Sequence, residues 1–220
     1  MRTYSVKTPH WLPRLFPKEI VWNLHHSPSV YLTFDDGPHP IATPYVLDTL
    51  KLYGAKATFF CIGKNIQAHP DLYNRLIAEG HRTGNHTFNH LNGWKTTNAD
   101  YLKNIFKTHR LVAHKIFRPP YGKIKISQAQ KLIARGWKIY MWDVLSADFD
   151  ISLSAADCIN NVIPNIQPGS IIVFHDSQKA FPRLKDSLPS VLDYCRQQGY
   201  RMEVLPLASD ILNAETKFPY

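Results

Sequence analysis

Short runs of β-branched and aromatic residues recur along this chain, and segments with apolar residues at helical spacing lie between them. The runs fall at residues 30–34, 57–62, 116–117, 138–142, 170–174 and 200–204, with a weaker one at 81–85. The helical patterns fall at 43–52, 71–79, 98–114, 127–135, 154–165 and 184–198. Val46, Leu47 and Leu50 give the first its apolar side, and Leu102, Ile105, Phe106 and Leu111 do the same for the third. Asn98 is a capping type, and Gly80, Gly136 and Gly199 stand where helices stop. Strand followed by helix, about seven times over, predicts a parallel sheet covered by helices, because parallel neighbours need a crossover long enough to hold one. The count is one short of an eightfold barrel, and an open doubly wound sheet is the rival arrangement.

The 220 residues suffice for one domain with a full core, and 44% are hydrophobic, as in a folded globular protein. No apolar run approaches the roughly 18 residues that a spanning helix needs. Residues 1–17 carry prolines and charges where a signal peptide needs an apolar segment, so the expected location is cytoplasmic. Cys61, Cys158 and Cys195 are too few and too scattered for a disulfide framework or thiolate metal site. The 26 Lys and Arg against 17 Asp and Glu leave a net charge of +9. These cations form no block, so nucleic acid is not an expected partner, and a solvated basic surface explains them. Residues 11–24 are rich in Trp, Leu, Phe and Pro. They read as a flap over the barrel floor or as a peripheral contact with an anionic membrane or cell-wall surface. The sequence does not give an oligomeric state.

In parallel α/β folds chemistry gathers at the carboxyl ends of the strands. Five candidate strands deliver ionisable groups there. They lead into Asp35–Asp36–Gly37–Pro38, into His86, into Arg118–Pro119–Pro120–Tyr121–Gly122, into Asp143 with Asp148 beyond it, and into His175–Asp176. Each has a bland reading. Asp-Asp-Gly-Pro is good turn chemistry, and a lone histidine after an apolar strand is commonly structural. His86 and His90 share a face if they lie on a helical turn, yet with 11 histidines such spacing also arises from composition. Asp36 would complete a two-histidine, one-carboxylate set, which suits Zn²⁺ or another divalent transition metal and leaves a position open for water.

The order of these segments is more specific than any one of them. TFDDGP at 33–38, HTFNH at 86–90, RPPYG at 118–122, an Asp-containing loop and a strand ending in His175 resemble the motif series of the NodB-type polysaccharide deacetylases, carbohydrate esterase family 4. The resemblance runs from about residue 31 to 200. It implies an α/β fold, a distorted (β/α) barrel with about seven parallel strands, spanning 29–220 behind an N-terminal extension, 1–28, packed on the barrel. It implies metal-dependent removal of N-acetyl groups from an N-acetylated carbohydrate, with Zn²⁺ first among candidate ions and Co²⁺ or another transition metal as alternatives. By the same resemblance Asp36, His86 and His90 hold the metal, Asp35 is the general base and His175 the general acid. Arg118 orients Asp35, Asp148 pairs with Arg118 or supports His175, and Tyr121 lends a backbone N–H to the oxyanion.

Two departures stand out. Phe149 follows Asp148 where the family usually has Trp, and Val173 stands where it usually has Leu. Both keep an apolar wall and change its shape. Deacylation of a small or lipid-linked substrate is the alternative activity. A non-catalytic glycan-binding module is the alternative class, but its signature would be loss of Asp35 or His175, and both are present.

Overall fold

The computed structural model describes residues 4–25 and 27–207; residues 1–3 and 26 of the expected extension and 208–220 of the expected deacetylase domain lie outside the described residues. The chain runs through β1 (Ile20–Val21), β2 (Ser29–Asp35), α1 (Ala42–Leu52), β3 (Thr58–Cys61), α2 (Gly63–Ala68), α3 (Pro70–Ala78), β4 (Arg82–Asn85) and α4 (Asn98–His109). It continues through β5 (Ile116–Phe117), α5 (Ile126–Ile133), β6 (Lys138–Tyr140), β7 (Val144–Leu145), α6 (Ala155–Val162), β8 (Ile171–His175), α7 (Phe181–Gln197) and β9 (Arg201–Met202). The strands order as β1-β6-β5-β4-β3-β2-β8-β7, all parallel, with β9 paired to the start of β2. One stretch of chain, 138–145, pairs with β5 and β1 at its start and with β8 at its end, which brings the sheet round on itself. This is the distorted barrel that the family resemblance implies, with more strands than the seven expected. The additions, β1 and β7, are two residues each and too short to show a period.

β2 sits at the centre, and all seven of its residues are buried. Alternation along a strand sorts its side chains between two faces. Val30, Leu32 and Phe34 join the main core, where Phe34 stacks on Phe59 and Phe174 at ring-centroid distances of 5.0 and 6.1 Å. Tyr31 points the other way, into a second cluster with Phe60, Ile116, Tyr140 and Ile171. Thr33 and Asp35 share that interior face.

Helix boundaries differ from the sequence pattern for local reasons. α4 closes at Arg110, and Leu111 and Val112 turn beyond it onto the main core. α2, six residues opening on glycine, carries too little pattern to be predicted. α7 starts at Phe181 and runs through Pro189, which has no N–H to give the Lys185 carbonyl. The Tyr45 hydroxyl donates to that carbonyl instead, at 2.6 Å. Among the described residues no helix is long and apolar enough to cross a membrane.

The N-terminal segment divides. Leu12 and Phe16 pack against the cluster of Trp22 and Trp137, while Trp11 and Leu15 stay exposed. Residues 6–8 instead run antiparallel beside β7, through a Lys7–Val144 bridge, Leu145 N–H to Val6 O at 2.8 Å and Thr8 N–H to Asp143 O at 3.0 Å. Asp143 is the anchor of this arrangement. Its buried carboxylate accepts from Lys7 Nζ at 3.0 Å, Asn23 Nδ2 at 2.7 Å, Ser170 Oγ at 3.0 Å and the Ile171 N–H at 2.7 Å. Charge-assisted bonds of this kind are each worth about 1.5–3 kcal/mol, and their loss strands buried donors. Asp143→Ala is therefore expected to lower the unfolding free energy by about 3 kcal/mol. Denaturant titration checks this, and an unchanged midpoint would show that the segment is held by other contacts.

Candidate active site

At the carboxyl end of β2 the chain leaves the sheet through Asp36, whose φ of 81° lies in the left-handed region. That turn swings the Asp36 side chain away from the direction of Asp35. Asn65 Nδ2 donates to the Asp36 carbonyl at 2.7 Å. The Gly37 N–H donates to Asp176 Oδ1 at 3.1 Å, and a Cβ on Gly37 would collide with the same carboxylate. Asp176 also accepts from Thr43 Oγ1 at 2.5 Å. Burial pushes its pKa up to about 8, against the bonds it accepts. Asp176 and Asn65 thus shape the turn, and no sequence signal marks either for that role.

After β4 residues 86–90 do not form the helical turn that would put both histidines on one face. Thr87 and His90 both have positive φ, 63° and 56°. The loop is pinned by side chains: Asn85 Oδ1 accepts from the Thr87 N–H at 2.9 Å, and Asn104 Oδ1 accepts from the N–H groups of Phe88 and Asn89 at 2.7 and 3.0 Å. The two imidazoles converge all the same, with ring centroids 5.1 Å apart. His90 Nε2 lies 3.1 Å and His86 Nε2 3.7 Å from Asp36 Oδ1. One ligand atom from each of the three residues falls within 4.8 Å of the others.

The donor chemistry of this cluster suits a cation. His86 Nδ1 lies 2.8 Å from the Arg118 carbonyl, which can only accept, so the ring proton sits there and Nε2 presents a lone pair to Asp36. His90 Nδ1 has the Tyr121 hydroxyl at 3.0 Å as its own partner. Burial lowers the His86 pKa to about 4 despite the nearby Asp35, so the ring is neutral at ordinary pH. Asp36 is held well below the usual carboxylate range: burial opposes this, but His90, His175 and His86 outweigh it. Asp36 Oδ1 is buried without a satisfactory hydrogen-bond partner. Lone pairs facing a buried carboxylate oxygen repel unless a positive ion lies between them. The residues present therefore fit a divalent metal.

β5 delivers Arg118, which is fully buried. Its Nη1 donates to Asp35 Oδ1 at 2.9 Å and Thr33 Oγ1 at 2.7 Å, its Nη2 to Met141 O at 2.9 Å and its Nε to Tyr140 O at 3.2 Å. The Phe60 ring lies 4.2 Å from the guanidinium carbon. Asp35 Oδ2 stays on the cluster side, 4.0 Å from His86 Nε2.

β8 delivers His175. Asp148 Oδ1 meets its Nδ1 at 2.7 Å, and Oδ2 accepts its backbone N–H at 2.9 Å. Asp148 is thus paired with His175, not with Arg118. Burial alone would lower the His175 pKa, but the charge and hydrogen bond of Asp148, with Asp36 and Asp35 behind, raise it to about 9. Tyr121 has a φ of 60° and an exposed ring set edge-on to His90 at 4.6 Å. Asp143 does not join the group, because its carboxylate is taken up in the anchor described above. Asp35, Asp36, His86, His90, Tyr121 and His175 border one cavity of about 460 Å³, walled further by Tyr4, Lys123, Trp142, Leu145, Phe149, Val173 and Lys179, while Arg118 and Asp148 are buried behind it. Tyr4, from the N-terminal segment, was not foreseen there.

Comparison with known proteins agrees with this geometry. The sequence model of the family described as Polysaccharide deacetylase matches residues 24–139. A peptidoglycan-N-acetylglucosamine deacetylase of Bacillus cereus is 35% identical over 189 residues, covering 83% of this chain and 68% of the relative. A chitooligosaccharide deacetylase of Azorhizobium caulinodans is 34% identical over 155 residues, covering 67% of this chain and 73% of the relative. A solved structure of a peptidoglycan N-acetylglucosamine deacetylase matches with a TM-score of 0.82 at 33% identity, covering 90% of this chain and 95% of that one. Sequence, barrel and site geometry agree: this chain belongs to the polysaccharide deacetylase family, the NodB-type enzymes of carbohydrate esterase family 4.

Proposed function

We propose that this chain removes N-acetyl groups from N-acetylglucosamine units of an oligomer or polymer, using a divalent metal, with Zn²⁺ foremost. One observation carries the reading. A buried carboxylate with one free oxygen and a histidine kept protonated by a second carboxylate border the same cavity as the Asp36, His86 and His90 cluster.

Asp36, His86 and His90 would hold the ion, which supplies Lewis acidity toward the acetamide carbonyl and acidifies water. Arg118 occupies Asp35 Oδ1 and leaves Oδ2 to take the proton of the attacking water. His175, its Nδ1 bound to Asp148, presents Nε2 as the proton donor to the departing amine nitrogen as the C–N bond breaks. The amine leaves neutral, and the acetyl carbon leaves as acetate. The Tyr121 backbone N–H is the proposed donor to the developing oxyanion, an interaction worth roughly 3–4 kcal/mol in comparable sites. Trp142, Leu145 and Val173 line the cavity with apolar surface, which strengthens each of these contacts by excluding water.

Acetate release from N-acetylglucosamine oligomers of increasing length is the direct test. Release that a chelator stops and Zn²⁺ or Co²⁺ restores is expected; no release from any length, with metal bound, would overturn the substrate assignment. Asp35→Asn keeps an acceptor for Arg118 but removes the base, so kcat should fall about a thousandfold with metal occupancy unchanged. Loss of metal from that variant would move Asp35 into the ligand set. Asp148→Asn removes the charge that raises His175. A general acid must be protonated to act, so the alkaline limb of the kcat/KM profile should shift to lower pH, by about one to two pH units. An unmoved limb would assign it to another group.

A further inference from the structure

The wall of the cavity beside His175 is built by a residue far from it in sequence. Tyr4 reaches the mouth because residues 6–8 run up beside β7. Its ring packs edge-on against Phe149, centroids 5.3 Å apart at 69°, and Phe149 packs edge-on against His175 at 5.1 Å and 80°. The Tyr4 hydroxyl donates to Asp150 Oδ2 at 2.5 Å, which fixes the tip of the ring while Phe149 restrains its face. Beneath the two rings lies a small buried cluster of Ala147, Leu153 and Cys158.

We infer that Tyr4 is a sugar-binding residue of the deacetylase site, its ring forming with Phe149 the wall on which the amino sugar packs. This rests on the proposed function, in which His175 protonates the leaving amine. The sugar that carries that amine must then lie on the His175 side of the cavity, where these rings are. Apolar C–H faces of a pyranose pack well on aromatic rings, and a ring held by its hydroxyl presents its surface with little conformational entropy to lose.

The ring is not the only anchor of its segment. The segment is already held by Lys7, whose Nζ donates to Asp143 Oδ2 and to the Asn165 carbonyl at 2.9 Å, and by Thr8, whose Oγ1 donates to the Trp142 carbonyl at 2.7 Å. Effects of Tyr4 on the sugar and on the fold can therefore be separated.

The test compares wild type, Tyr4→Phe and Tyr4→Ala as full-length, Zn²⁺-loaded protein on an N-acetylglucosamine tetramer. KM and kcat are taken from acetate release, Kd from calorimetry, and Tm from thermal unfolding. Tyr4→Ala is expected to raise KM and Kd about tenfold with kcat within about threefold, while Tyr4→Phe, which keeps the ring, stays within about twofold of wild type. If Tyr4→Ala does not fold, Tyr4→Leu, which retains apolar bulk over the Ala147 cluster, is measured with the same expectation. Wild-type KM and Kd in the alanine or leucine variant, with or without a lower Tm, would overturn the inference and leave the deacetylase reading standing. So would a Tyr4→Phe defect as large as that of Tyr4→Ala, which would assign the effect to the Asp150 bond. A wild type that neither binds nor turns over the tetramer would overturn both.

Discussion

One arginine inside the barrel sets both halves of the site. The Arg118 side chain takes one oxygen of Asp35, and the Arg118 carbonyl fixes the tautomer of His86. The proposed base and the first proposed histidine ligand are therefore tied to the same residue, one through its side chain and one through its backbone. Burying a cation completely is costly unless every donor is satisfied. Here the donors meet Asp35, Thr33, Tyr140 and Met141, and the flat face meets Phe60. Burial still pulls the Arg118 pKa down, with Asp35 opposing it, but an arginine has range enough to remain charged. A lysine could not reach four acceptors in a plane. The strands β2, β5 and β6 must hold their spacing for that fork to fit, so the barrel geometry and the position of Asp35 are one constraint.

The loops around this fork are held in conformations that an isolated chain avoids. Asp36, Thr87, His90, Tyr121 and Ala147 all have φ between 56° and 81°. Such positions cost on the order of 1–3 kcal/mol each and persist only where surrounding bonds over-determine them. Asp176, Asn65, Asn85 and Asn104 provide those bonds for the first three. They touch no reacting group in the proposed chemistry. Their effect is to place Asp36, His86 and His90 within ligating distance of a common point.

The legibility of the sequence follows from how local each feature is. The strands that lead into Asp35, Arg118 and His175 could be read directly, because each is a hydrophobic run meeting a polar break; the one before His86, residues 81–85, is polar and gives only a weak signal. The convergence of those residues depended on the strands being parallel, and they are. Asp143 misled for the same reason. It follows an apolar run, but the sheet changes edges between β6 and β7, and the carboxylate turns to Lys7 and β8 instead. The choice between Arg118 and His175 as partner of Asp148 could not be made from spacing, because it depends on a loop between α6 and β7 held by Arg183 and Asn161. Tyr4 is illegible altogether, since its 5.3 Å contact with Phe149 spans about two thirds of the sequence.

Two charge pairs of opposite logic stand side by side in this barrel. In Arg118–Asp35 a cation that stays charged takes one carboxylate oxygen and leaves the other as an acceptor. In Asp148–His175 a fully buried carboxylate raises the pKa of a histidine, so that the ring is a donor at neutral pH. Each charge is balanced by its neighbour within 3 Å, in surroundings from which most water is excluded. At that range and burial, salt screens little, whereas the scattered surface cations behind the +9 net charge act through water and are screened within about 8–10 Å. The proposed acid and base roles thus depend on two local pairs of residues, and the basic surface bears on what approaches the cavity, not on what happens within it.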